Sequence, residues 1–129
     1  DHPYVAISLN NIAEIHIAEG DLGLALALHE RALAIRRKRF GEDHPETARS
    51  LHNLGVLQME RGDLDAAESA LTAAAKIRGA LLGPEHPETL ASLARLKELG
   101  TRREQAAARE AAAAEPAPPP RRRKSGSPR

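Results

Sequence analysis

The 129-residue chain is 41% hydrophobic but only 2% aromatic, has no cysteine, and balances 19 basic against 18 acidic side chains to a formal +1. That length admits one domain with a core, and the lack of cysteine excludes a disulfide framework, a thiolate zinc site and a cysteine nucleophile. Apolar runs are too short to span a bilayer and no secretory signal opens the chain, so no membrane partner and a reducing, cytoplasmic location are expected. The charge is uneven: residues 116–129 hold five basic side chains and no acid, leaving a body with a formal −4.

The first predicted element starts in "DHPYVAISLNNIA" at Asp1, and the phrase returns as "DHPETARSLHNLG" at Asp43 and "EHPETLASLARLK" at Glu85, a spacing of 42. His2, His44 and His86 align, as do Ser8, Ser50 and Ser92; later in the unit Gly20-Asp21-Leu22 matches Gly62-Asp63-Leu64, and Ile35 and Gly41 match Ile77 and Gly83. A fixed period of this size marks a solenoid. The chain opens inside a copy of the phrase and without Met, so it reads as part of a longer product.

Each unit reads as two helices. His-Pro starts the first, because proline is tolerated in the opening turn and holds the residue before it extended. Gly20 or Gly62 stops it in a left-handed cap, and Asp21 or Asp63 caps the next helix. The expected helices are about 3–19 and 22–40 in unit one (1–42), and 45–61 and 64–82 in unit two (43–84). Leu9, Ile12, Ala13 and His16 share a stripe, as do Leu51, Leu54, Gly55 and Gln58; small residues at Ala13 or Gly55, Ala25 or Ala67, and Ala32 or Ala74 mark where paired helices touch. The third unit, 85–115, departs from the period: Glu104 stands where glycine is expected and Gly100 comes four residues early. It is expected to form a shortened helix over 87–99 and a closing helix over 102–115, followed by a disordered Pro/Arg-rich tail over 116–129.

The pattern Leu-x-x-Leu/Ile-Gly/Ala, then Gly, then Ala, then Ala-Leu resembles the tetratricopeptide repeat. The stretches "HPETARSLHNLG" and "ALAIRRKRFGEDHP" resemble its 42-residue kinesin light chain type, over residues 1 to about 100. The resemblance implies an all-α solenoid of tandem antiparallel helix pairs, wound as a right-handed superhelix, whose first helices line a concave groove for an extended peptide or a partner helix. His16 and Gln58 depart from it, standing where that family often has an aromatic.

Helical spacing itself places Ile7, Asn11, Glu14 and Ala18 on one face, opposite the packing stripe. Arg49, Asn53, Val56 and Glu60 follow in unit two, with Asn10, Ile17, His52 and Met59 beside them. Asparagine is a poor helix-interior residue, so its recurrence at 11 and 53 calls for a reason. An amide there offers donor and acceptor together to a ligand backbone; a solvated amide, or one bonded to a neighbouring helix, is the plain alternative. Arg95 takes this place in unit three. Arg49 and His52 favour an acidic peptide while Glu14 and Glu60 oppose one, so ligand charge stays open.

No catalytic constellation is present, whether phosphate loop, nucleophile elbow or metalloprotease helix, and the chain reads as a non-enzyme without cofactor. The recurring histidines sit one per unit at helix starts, which suits structure better than metal. The run Arg36, Arg37, Lys38 and Arg39 complements a helix C-terminus. The tail's "RRRK" reads as a solubilising end, a nuclear address or an electrostatic contact to nucleic acid or anionic lipid, and without interleaved aromatics nucleic acid is disfavoured. The expected function is a protein-interaction module; its rival is a structural end segment of a longer solenoid, or self-association.

Overall fold

The computed structural model describes residues 3–114 together with 116, 119 and 120. Of the expected tail, only Pro116, Pro119 and Pro120 are therefore described, none of them helical; the basic run lies outside. Five helices follow in order: α1 (Pro3–Ala18), α2 (Leu22–Phe40), α3 (Pro45–Glu60), α4 (Leu64–Leu82) and α5 (Pro87–Ala114). Each packs on the next, and α3 also touches α5.

Local chemistry sets the helix ends. At Gly20 and Gly62 the backbone turns left-handed (φ 83° and 86°), and the next residue's N–H returns to the helix, Asp21 N to His16 O at 2.8 Å and Asp63 N to Gln58 O at 2.9 Å. Asp21 then caps α2, its Oδ1 accepting from Leu24 N at 3.2 Å. Asp63, expected to do likewise, makes no side-chain cap bond; its carboxylate lies 3.8 Å from Arg61, where unit one has Glu19. The histidines cap the first helices: His44 Nδ1 accepts from Glu46 N at 3.0 Å, and His86 Nδ1 from Glu88 N at 3.2 Å.

Three joints recur at the period. Thr47 Oγ1 donates to Gly41 O at 2.7 Å and Thr89 Oγ1 to Gly83 O at 2.8 Å, pinning each first helix to the turn before it. Arg36 Nη1 donates to Ser50 Oγ at 2.6 Å and Arg78 Nη1 to Ser92 Oγ at 3.0 Å, tying α2 to α3 and α4 to α5. Leu33, Leu51, Leu54 and Ile77 form the apolar core joining α2, α3 and α4. Ala13 and Ala25 are buried where α1 and α2 meet, with Leu57 packed on them. At the α3–α4 crossing a Cβ on Gly55 would come within 2.6 Å of Leu71 Cγ, so any larger residue must displace Leu71.

Three further expectations are corrected. Met59, assigned to the groove, is 1% exposed and packs with Leu71 and Leu99, because the end of α3 turns this position toward α4 and α5. Ile12 does not share the burial of Leu54 one period on (44% against 6% exposed): α2 covers that face of α3, whereas no described element covers it on α1. Most plainly, α5 is one helix. Gly100 lies inside it, without the positive φ or the following Asp that stop α1 and α3. An interior glycine costs about 1 kcal/mol relative to alanine, which the Ala-rich sequence beyond it offsets. Arg102 holds the continuation, donating to Met59 O at 3.2 Å and to Glu60 and Glu98 at 3.1 and 3.0 Å, while Arg103 pairs with Asp65 and Glu68.

Candidate functional site

The first helices bring their inward residues to two adjoining clefts that share Glu14 and Asn53. One, about 440 Å³, is lined by Ile7, Asn10, Asn11, Glu14, Arg49 and Asn53, joined by Arg36 and Arg78. The other, about 280 Å³, has apolar walls of Ile17, Leu22, Val56 and Leu57, with His29, His52, Glu60 and Arg95 around them. Every groove residue expected from helical spacing lies at one cleft or the other, except Met59 and Ala18.

Asn11 is exposed and Asn53 half-buried, and neither amide has a hydrogen-bond partner among the described residues. Neighbouring Asn10 is committed to the scaffold: with its amide turned to match its neighbours, the oxygen accepts from both terminal nitrogens of Arg36, at 2.8 and 3.1 Å, and the nitrogen donates to His29 Nδ1 at 3.2 Å. His52, one period after Asn10, pairs through Nδ1 with Ser92 Oγ at 2.9 Å. Burial pushes the His52 imidazole down to about 4, with Arg78 and Arg95 adding and Glu88 opposing. Burial also lowers His29, against the pull of Glu14. Both rings are therefore neutral near pH 7 and belong to the apolar wall.

Helical spacing on the first helices could not reveal the contribution of α2 and α4. Leu22, His29, Arg36 and Arg78 all reach the groove from the second helices. Arg36, expected with its neighbours to complement the C-terminus of α2, is instead 3% exposed and Arg78 is 6% exposed; Arg37, Lys38 and Arg39 keep the exposed helix end. The available signal was the period itself, since Arg36 and Arg78 lie 42 apart amid apolar neighbours. His29 had no such signal, because Leu71 takes its place in unit two. Among the described residues no group of three or more His, Cys, Asp or Glu could hold a metal ion, and no helix is long and apolar enough to cross a membrane.

Stacked helix pairs repeated at a fixed period, with a cleft across their first helices, define a helical-repeat protein. The tetratricopeptide repeat family profile matches residues 4–78, more than half of the chain, and the chain belongs to that family. Its repeats are generally protein-interaction modules. Among solved structures the chain is similar to a crystal structure of nearly identical TPR-like repeats from a Podosopora anserina protein designated a kinesin light chain, at 28% identity and a TM-score of 0.72. A singly substituted form of that protein matches to the same degree. The match covers 81% of this chain and 50% of the other, so the chain spans half the length of that structure. Comparison with curated proteins finds no match.

Proposed function

We propose that the chain is a protein-interaction module that holds an extended peptide, or one face of a helix, along the groove of α1, α3 and the start of α5. The observation that carries this reading is the pair Asn11 and Asn53: a poor helix residue, repeated one period apart, with both amides unpartnered among the described residues on the lining of one cleft. Each amide offers a donor and an acceptor to a peptide backbone. Ile7, Arg49, His52, Val56 and Arg95 set the side-chain preference, and the apolar walls of the smaller cleft take an uncharged residue. The test is a peptide-display selection on the chain, repeated with Asn11→Ala and Asn53→Ala together. One motif enriched by the parent and lost in the double variant supports the reading; enrichment of the same motif by both removes the asparagines from the mechanism.

A second reading, a scaffold or self-associating segment, is favoured by α1. Ile12 and Ile15 are exposed, whereas Leu54 and Leu57 at the same places in α3 are buried under α2. A helix pair or a second copy seated there would cover them. Sedimentation velocity over a wide concentration range checks it: association that Ile12→Lys abolishes supports it, and a monomer throughout opposes it.

A further inference from the structure

The first helix of each complete pair hides one face under its own second helix. In α1 that face is Ala6 and Leu9, which pack with Ala32 and Ile35 of α2. In α3 it is Ala48 and Leu51, which pack with Ala74 and Ile77 of α4, and Gly55, which meets Leu71. One period on, α5 presents Leu90, Leu93 and Lys97 at these places. Because α5 runs straight past Gly100, no described element covers them: Leu90 is 49% and Leu93 46% exposed, against 0% and 4% for Ala48 and Leu51. The second half of α5 has the complementary lack, since every residue from Glu104 to Ala114 is exposed.

Helical spacing joins the two halves into one face. Leu90, Leu93, Lys97, Glu104, Ala108 and Ala111 fall on one side of α5, at steps of three, four or seven. Thr89, Ser92 and Leu99, which are buried against the stack, lie on the other. The open face is its own complement when reversed. About a two-fold axis between Gly100 and Thr101, Leu90 comes opposite Ala111, Leu93 opposite Ala108 and Lys97 opposite Glu104, each pair equidistant from the axis and each made twice. Large against small lets two helices approach closely, and space is open at Gly100, where a Cβ would meet nothing within 4 Å. Neither Lys97 nor Glu104 has an ion partner among the described residues. A parallel pair would set each of these charges against its own copy, so charge selects the antiparallel arrangement.

We infer that the occupant of this face is a second copy of the chain, with the two α5 helices antiparallel over residues 90–111, about 33 Å of helix. Each copy supplies the leucines that the other's alanines cover, so the partner's α5 stands where units one and two place a second helix of their own. The two stacks lie on opposite sides of the contact, because α5 packs on its own stack by the other face. A single helix pair is at the small end of specific interfaces, so a concentration-dependent equilibrium is expected rather than an obligate dimer. Arg95, on the groove lining, lies outside the contact, and the dimer therefore carries two open grooves. The inference needs neither the groove reading nor the exposed isoleucines of α1.

The test joins sedimentation velocity with thiol cross-linking of the full chain. The parent is expected to dimerise as concentration rises. Leu93→Glu should reduce it to a monomer with the helical circular dichroism kept, since Leu93 is already half in solvent in the single chain. Lys97→Glu should weaken the dimer about tenfold, because both cross-pairs become repulsive, and Lys97→Glu/Glu104→Lys should restore it. The chain has no cysteine, so introduced thiols report the register. On oxidation a mixture of Leu90→Cys and Ala111→Cys chains should link one to the other, and neither to itself. The charge swap and the cross-link read the pairing independently of how Leu93→Glu folds. A monomer at every concentration would overturn the inference. So would self-linking of Leu90→Cys, which demands a parallel pair, or a dimer that survives Leu93→Glu, whether or not Ile12→Lys removes it.

Discussion

At the scale of single residues, stability turns on which polar groups the packing leaves matched. His52 is neutral when folded, held at about 4, but titrates near 6.5 when unfolded. Between those values the unfolded chain binds a proton that the folded chain refuses, so this contribution is intact above about pH 6.5 and is lost as pH falls toward 4. Burial gives His29 the same direction. Urea midpoints measured down that range should fall. His52→Asn, which installs the residue unit one carries there, should flatten the fall without removing it. Gln58 shows a different mismatch: its Oε1 is buried with no partner among the described residues. Gln58→Leu is expected to raise stability by about 1 kcal/mol by removing that orphan acceptor, and an unchanged or lower urea midpoint would oppose this. At Gly55 the constraint is space. Gly55→Ala is expected to cost about 1 kcal/mol net, because overpacking against Leu71 outweighs the helix-propensity gain. Adding Leu71→Ala should cost less than the sum of the two single changes, since the methyl at 55 fills part of the void that the leucine leaves. The importance of small residues here was legible from Ala13 and Gly55 at one place in the period. The inward turn of Arg36 was not, because a charged run at a helix end has an adequate surface explanation until the neighbouring helix supplies Ser50.

At the scale of elements, the all-helical stack was legible because three signals agree: proline after histidine, glycine before aspartate, and small residues at the crossings. Unit three shows what each signal is worth alone. Gly100 without a following aspartate does not end a helix, and α5 runs on to Ala114. The arginines that hold its continuation reach partners in α3 and α4, at sequence separations no local pattern reports. The two glycine types give opposite predictions. Gly100→Ala should raise stability by up to about 1 kcal/mol, since the site is helical and a Cβ there meets nothing within 4 Å. Gly62→Ala should lower it by about 1 kcal/mol, since φ is 86° there. Thermal melts of the two variants check both signs; destabilisation by Gly100→Ala would restore the broken-helix reading of unit three.

At the scale of the whole molecule, the repeat does two jobs with one set of positions. Ser50 and Ser92, with Arg36 and Arg78, join successive pairs on the inside of the stack, and the same arginines give the groove its charge. Asn10 and His52 show how a period position diverges without breaking the joint: one bonds the arginine of its own unit, the other the serine of the next. The face carrying Asn11, Asn53 and Arg95 was readable from helical spacing, because first helices of successive units stand side by side. The floor beneath it was not, because it is built by second helices reaching between them. The most direct test takes a peptide selected on the parent chain and measures its dissociation constant, by calorimetry, for the parent and for Asn11→Ala/Asn53→Ala, with circular dichroism showing that both are folded. Two backbone contacts at roughly 1 kcal/mol each predict a loss of about thirtyfold. Equal affinity in the folded double variant would contradict the account, and would move the binding surface off the repeated asparagines.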